Sequence, residues 1–192
     1  MTRNFMNRLF TDSVKAAQTE YGTRESQARH EGGELIHDEL TLAEAQFIAS
    51  RDGFYMATVN EDGWPYLQFR GGPEGFLKVI DAGTIGYADF RGNRQLISMG
   101  NLRKSGKTAL FLMDYPSQSR LKLMVESEVI NAADRPDLLP LFQDPEYMAP
   151  IERFVVLKVV AYDWNCPKHI TPRFTEDEWR LVQDGSLDSG RG

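Results

Sequence analysis

Cysteine is nearly missing from this 192-residue chain: Cys166 stands alone. One thiol cannot form an internal disulfide, which excludes a disulfide-stapled scaffold and fits a reducing compartment. No apolar run approaches the roughly 18 residues of a membrane-spanning helix, so a helical membrane protein is excluded. Met1-Thr2-Arg3-Asn4-Phe5-Met6-Asn7-Arg8 lacks the apolar core of a signal peptide, and a cytoplasmic location is expected. Basic charge is in deficit as well, with 22 Lys and Arg against 28 Asp and Glu and a formal net charge of -6. Without a basic block, the chain has no sequence-independent grip on nucleic acid. Histidine is scarce: His30, His37 and His169 stand far apart and none has metal-ligand spacing, so no metal site is expected. Neither a G-x-S-x-G elbow nor a Walker loop is present.

What is present divides into an amino-terminal part, a body and a tail: residues 1–50 as a helical arm and helix, 51–175 as one domain, 176–192 as a helix and polar tail. A chain of this length supports one core that buries roughly 70% of the unfolded surface. Phe5, Leu9, Phe10 and Val14 recur at helical spacing and predict a short amphipathic helix. The polar stretch from Tyr21 to Gly33 reads as an arm. Thr41-Leu42-Ala43-Glu44 is a capping box, and the helix it opens is expected to turn Leu42, Ala45, Phe47 and Ile48 to a core.

From Gly53 the period changes to that of strands. Phe54–Val59 and Pro65–Arg70 flank Asp62-Gly63, a strong hairpin signal, because Gly accepts the positive φ of such turns. Gly71-Gly72-Pro73-Glu74-Gly75 lies between strands and opens no helix, so it reads as turn residues rather than a dinucleotide fingerprint. Further strands are expected at Phe76–Asp81, Thr84–Ala88, Thr108–Met113, Leu121–Ala132 and Phe154–Trp164, with helices at Asn93–Leu102, Asp134–Phe142 and Glu176–Val182. Many short strands with isolated helices predict a mainly β, α+β fold: an antiparallel barrel with flanking helices.

Two strings carry chemistry. Asp89-Phe90-Arg91-Gly92-Asn93-Arg94 lies between a strand and an expected helix start, where free N–H groups and positive partial charge suit an anion. Gly92 permits close backbone approach and Arg94 can hold phosphate through paired bonds. Arg70, ending the preceding hairpin, adds a second cation. Spacing alone serves equally well for a capped helix with a solvated Arg. The second string, Trp164-Asn165-Cys166-Pro167-Lys168-His169-Ile170-Thr171-Pro172-Arg173, stiffens polar groups with two prolines. The alternative is a rigid exit loop whose cations face water.

The order of these pieces resembles the pyridoxamine 5'-phosphate oxidase-like flavoproteins. The hairpin ends in Arg-Gly-Gly-Pro; Gly-Phe-Leu-Lys-Val-Ile-Asp, Arg-Gly-Asn-Arg and a helix ending Gly-Asn-Leu follow. Asn165-Cys166-Pro167-Lys168-His169-Ile170 is similar to the Asn-Cys-Pro-Lys-Tyr-Ile segment of one bacterial branch. The resemblance runs from about Phe54 to Arg173. It implies a split β-barrel of the FMN-binding type and a homodimer with FMN at the subunit interface. Gln68, Phe69, Arg70 and Gly71 match the strand that passes the flavin, with Arg70 on the phosphate. Tyr87 and Ala88 match the strand end against FMN, and Asn93 and Arg94 the phosphate-holding pair. Arg120 and Lys122 resemble positions near the ring or its phosphate. Trp164, Lys168 and Arg173 resemble the carboxy-terminal wall lent by the other subunit.

Only Trp164 and Arg173 match the oxidase's carboxy-terminal signature, which argues against pyridoxamine phosphate as substrate. The expected function is an FMN-dependent oxidoreductase acting on another small molecule, with no catalytic side chain identified. A non-catalytic protein that stores FMN or haem on the same barrel is the alternative, and a deazaflavin-dependent reductase a third.

Overall fold

The computed structural model describes residues 3–164 and 168–186; Cys166, with Asn165 and Pro167, lies outside the described residues. The Asp62-Gly63 turn joins β1 (Gly53–Val59) to β2 (Pro65–Gly71). Gly63 takes φ +85°, and the Asn60 side-chain oxygen accepts from the backbone N–H of Asp62 and Trp64 at 3.1 and 2.8 Å. Five more strands follow: β3 (Lys78–Asp81), β4 (Thr84–Phe90), β5 (Lys107–Asp114), β6 (Ser119–Asn131) and β7 (Ile151–Trp164). All seven join one antiparallel sheet in the order β2-β1-β5-β6-β7-β4-β3.

The ladder is open at β2 and β3, yet its ends meet. Phe54 on β1 lies edge-on to Tyr87 on β4 with ring centroids 5.3 Å apart. Arg70 on β2 reaches Asp89 on β4 at 3.1 Å. Strands four and five places apart in the ladder touch only if the sheet rolls up, and the result is a split barrel. Alternation fills its interior: Phe54 and Met56, Leu110 and Leu112, Leu121 and Leu123, Leu157 and Val159 are all buried. A bulge at Met124/Val125 places Val160 as the extra residue on β7. Beyond it the inward parity of β7 switches, so Tyr162 joins the same core as Val159 and Trp164 packs against it.

The helices correct the expectations in several places. The predicted amino-terminal helix is two, α1 (Arg3–Leu9) and α2 (Asp12–Glu20), because the extended Thr11 restarts the helix as an N-cap. Phe5 and Met6 of α1 pack on Ala161 of β7. The stretch expected as an arm contains α3 (Arg24–Ala28). Ion pairs from Arg24 and Lys15 to Glu31, at 2.6 and 3.4 Å, tie it down, and such polar ties leave no apolar period to read.

The capping box of α4 (Leu42–Ala49) forms as expected, but Leu42 is 72% exposed and Glu44 is buried in its stead. The reason is that Glu44 bonds back to Thr41 and also accepts the Trp164 indole N–H at 2.6 Å. That turns the face carrying Phe47 and Ile48 inward and Leu42 outward. The segment expected as a helix from Asp134 splits at its prolines into a 3-10 turn (Pro136–Leu138) and α6 (Leu139–Phe142). Helices α5 (Ile97–Ser105) and α7 (Glu176–Gln183) complete the chain. Among the described residues, no helix is long and apolar enough to cross a membrane.

Candidate functional site

Three local devices converge beside the barrel's seam. Alternation along β2 points Tyr66, Gln68 and Arg70 to one side, and leaves Leu67 and Phe69 exposed on the other. A bulge lies where β4 meets β7: Asp89 pairs with Arg153, then Phe90 with Ile151, so Glu152 is the extra residue. Neighbours on a regular strand face opposite ways, but here Glu152 and Arg153 both line the same cavity. The third device is the loop into α5. Arg94 and Leu96 take left-handed φ of 59° and 57°, and the Asn93 side-chain oxygen accepts from the Gln95 N–H at 3.1 Å. These turns delay the helix, which starts at Ile97 and not at the expected Asn93.

The three devices enclose a cavity of about 180 Å³. Asp89, 3% exposed, accepts from Arg70 Nη1 at 3.1 Å and from Arg153 Nε and Nη2 at 2.8 and 2.6 Å. Glu152 faces Arg91 Nε at 3.1 Å, Arg94 Nε at 3.5 Å and Arg153 Nη2 at 2.9 Å. Four guanidinium groups thus share two carboxylates, a surplus of two positive charges. The hydrogen bond from Arg91, helped by Arg153 and Arg94, holds the Glu152 carboxyl below the ordinary range. Burial works against the Arg153 charge, but the bonds to Asp89 and Glu152 outweigh it and raise its pKa.

Donors in the cavity wall are left over. The Ser98 hydroxyl is buried without a hydrogen-bond partner, in a residue 3% exposed, and Arg70 Nε is likewise unpartnered. The first backbone bond at the start of α5 runs from Gly100 N–H to Leu96 C=O. The N–H groups of Ile97, Ser98 and Met99 therefore have no acceptor within the helix. Surplus positive charge, an orphan hydroxyl and a helix start are the chemistry that suits a compact anion.

Of the thirteen residues expected at a cofactor, Gln68, Arg70, Asn93 and Arg94 line this cavity. The others lie elsewhere in the chain. Phe69 faces outward against Tyr55, with ring centroids 5.4 Å apart, and Gly71 ends β2 opposite Gly53. Tyr87 is enclosed in the core, its hydroxyl 3.6 Å from Met56 Sδ and its phenol pKa raised by burial. Ala88 is buried on the outer side of β4 with Phe142 and Phe154. Arg120 pairs with Met113 across the ladder. Lys122 is 3.4 Å from Asp163 and sits over the Phe5 ring at 4.8 Å. Trp164 spends its N–H on Glu44 and packs edge-on against Phe47 at 4.7 Å. Lys168 is exposed, and Arg173 lies over the Tyr115 ring at 5.2 Å.

Sequence reasoning missed Ser98, Glu152 and Arg153. An adjacent opposite-charge pair at the start of a mostly apolar strand was a signal for the last two. Nothing local marked the serine.

The rolled sheet gives the chain the split-barrel fold of pyridoxamine 5'-phosphate oxidase-like proteins. That fold is shared with a provisionally assigned pyridoxamine 5'-phosphate oxidase from Lactobacillus delbrueckii, at 19% identity and a TM-score of 0.50, over 67% of this chain and 99% of that one. An FMN-binding protein from Syntrophomonas wolfei aligns over 80% of this chain and 97% of its own at 18% identity, with a TM-score of 0.49. Group A Streptococcus HupZ aligns over 70% of this chain and all of its own at 12% identity and the same TM-score of 0.49. No protein-family model and no curated protein matches the sequence.

Proposed function

We propose that this chain is an FMN-dependent oxidoreductase, with the FMN phosphate held in the cavity between β2, β4, β7 and the start of α5. The observation that carries the reading is the buried, unpartnered Ser98 hydroxyl in a wall with surplus guanidinium charge. Arg70 and Arg94 supply paired N–H donors to phosphate oxygens, Arg153 supplies its remaining Nη1, and Ser98 with the free N–H groups of α5 supplies the rest. A phosphomonoester carries about -1.5 to -2 charges near neutral pH; the lining arginines exceed the lining carboxylates by one charge, and Arg91 adds another from outside the wall through Glu152. Bound FMN supplies hydride or electron transfer to a small-molecule substrate. The chain's own residues anchor the tail and exclude water from the grip.

Ligand cavities usually run to roughly 300–1,000 Å³, so a cavity of about 180 Å³ accommodates the phosphate and not the ring. The ring then lies outside the grip, beside β2. The opposite face of that strand is apolar: Leu67 is 64% and Phe69 56% exposed, and Trp64 at the turn 73%. Tyr55, Ala57, Phe111 and Met124 extend the face into a groove of about 560 Å³ bounded by Phe5 of α1. β2 is the edge of the sheet, so a second copy covering its outer face adjoins the ring around that edge, hence a homodimer with the flavin at its interface.

The test is a fluorescence titration of the apoprotein with FMN and with riboflavin, which lacks the phosphate. FMN is expected to bind at least about tenfold more tightly, since charge-assisted bonds to the phosphate exceed the worth of neutral ones. Equal binding of the two, or quenching of neither, overturns the reading. Turnover with NAD(P)H and an acceptor then separates an oxidoreductase from a storage protein.

A further inference from the structure

A carboxylate buried in the wall of an anion cavity is unexpected. Asp89 is 3% exposed, and a bare Coulomb argument makes it an obstacle whose removal tightens anion binding. The geometry points the other way. Arg70 comes from β2 and Arg153 from β7, four places apart in the ladder with no backbone hydrogen bonds between them. Asp89 joins both, taking Arg70 on Oδ1 at 3.1 Å and both Nε and Nη2 of Arg153 on Oδ2 at 2.8 and 2.6 Å. Arg70 makes no other side-chain hydrogen bond among the described residues, and its Nε stays unpartnered. Without Asp89 nothing orients the Arg70 fork, and a free Arg must surrender its rotamer freedom at the moment of binding. Anchored beforehand, the free Nε edge of Arg70 and the remaining Nη1 of Arg153 meet the ligand already ordered.

We propose that Asp89 is a positioning residue: it spans the barrel's seam and locks Arg70 and Arg153 in the orientation that receives a phosphomonoester dianion. The inference rests on the reading that this cavity takes the FMN phosphate. It makes selection for the phosphate depend on a group of the same sign as the ligand.

The experiment compares FMN and riboflavin affinities of the wild-type apoprotein and the Asp89→Asn variant, with a thermal melt of each. The variant is expected to lose FMN affinity by about tenfold or more while riboflavin affinity changes by less than about threefold, because only the ordered charge-assisted bonds are lost. A variant whose preference for FMN is unchanged or larger overturns the proposal and restores the Coulomb view. If Asp89→Asn does not fold, Asp89→Glu carries the test: it keeps the charge and moves the oxygens. Loss of FMN preference there supports positioning, and a wild-type preference refutes it. A wild-type protein with no preference for FMN fails at the earlier step, removing the functional reading and this inference together.

Discussion

On the proposed reading, Ser98 serves a ligand at the expense of the protein that carries it. Its hydroxyl is enclosed and makes no hydrogen bond, a burden of roughly 1–3 kcal/mol for a buried polar group. Ser98→Ala removes that burden, so the ligand-free variant is expected to melt at the same temperature as the wild type or higher. The same change deletes a donor to phosphate and is expected to weaken FMN binding by about five- to tenfold, or roughly 1 kcal/mol. Calorimetric melting of the apoprotein and FMN titration check the two halves together. A variant that is less stable and binds normally would make Ser98 a packing residue. Arg70, Asn93 and Arg94 were legible because their neighbours in sequence announce a turn and a charge. Ser98 was not, since a serine in the first turn of a helix looks the same whether or not its hydroxyl faces a cavity.

At the level of elements, the β4–β7 bulge shapes the site. One extra residue, Glu152, puts two successive side chains on the cavity's side and gathers Arg91, Arg94 and Arg153 around it. Its pKa lies below the ordinary 4.5 in the folded protein. A carboxyl depressed by folding contributes stability above its unfolded value, and that contribution disappears as pH falls through the depressed value. Melting of the wild type is therefore expected to fall as pH drops below about 4.5, and Glu152→Gln is expected to show a shallower fall. Thermal melts of both proteins between neutral and acid pH check this; parallel curves would remove Glu152 from the acid response. Hairpin, capping box and strand runs were readable because each depends on residues close in sequence. The bulge was not, because register belongs to a pair of strands 60 residues apart.

For the whole molecule, the issue is the uncovered outer face of β2-β1-β5. Leu67, Phe69 and Trp64 stay exposed in the single chain, and clustered exposed apolar side chains are the kind of surface a partner covers. Light scattering is expected to give twice the 21.9 kDa chain mass. Leu67→Asp is expected to shift the protein to monomer, since it buries an unpaired charge in the interface. That variant is also expected to lose FMN affinity although it leaves the phosphate cavity intact, because the ring loses its second wall. A wild-type monomer that binds FMN fully would sink the two-chain site.

Residue order alone was enough for the existence and order of the strands, the tight turns and the candidate cations on the hairpin and the loop before α5, although β3 starts at Lys78 and not at the expected Phe76. Those features arise from steric preference and periodicity within a few residues. Rolling of the sheet decided the rest: which four of thirteen candidates share a cavity, that Asp89 clasps two distant arginines, and that Trp164 is spent on Glu44. Such pairings depend on strand register and on which face of each helix is buried, and neither exists until the chain has closed on itself.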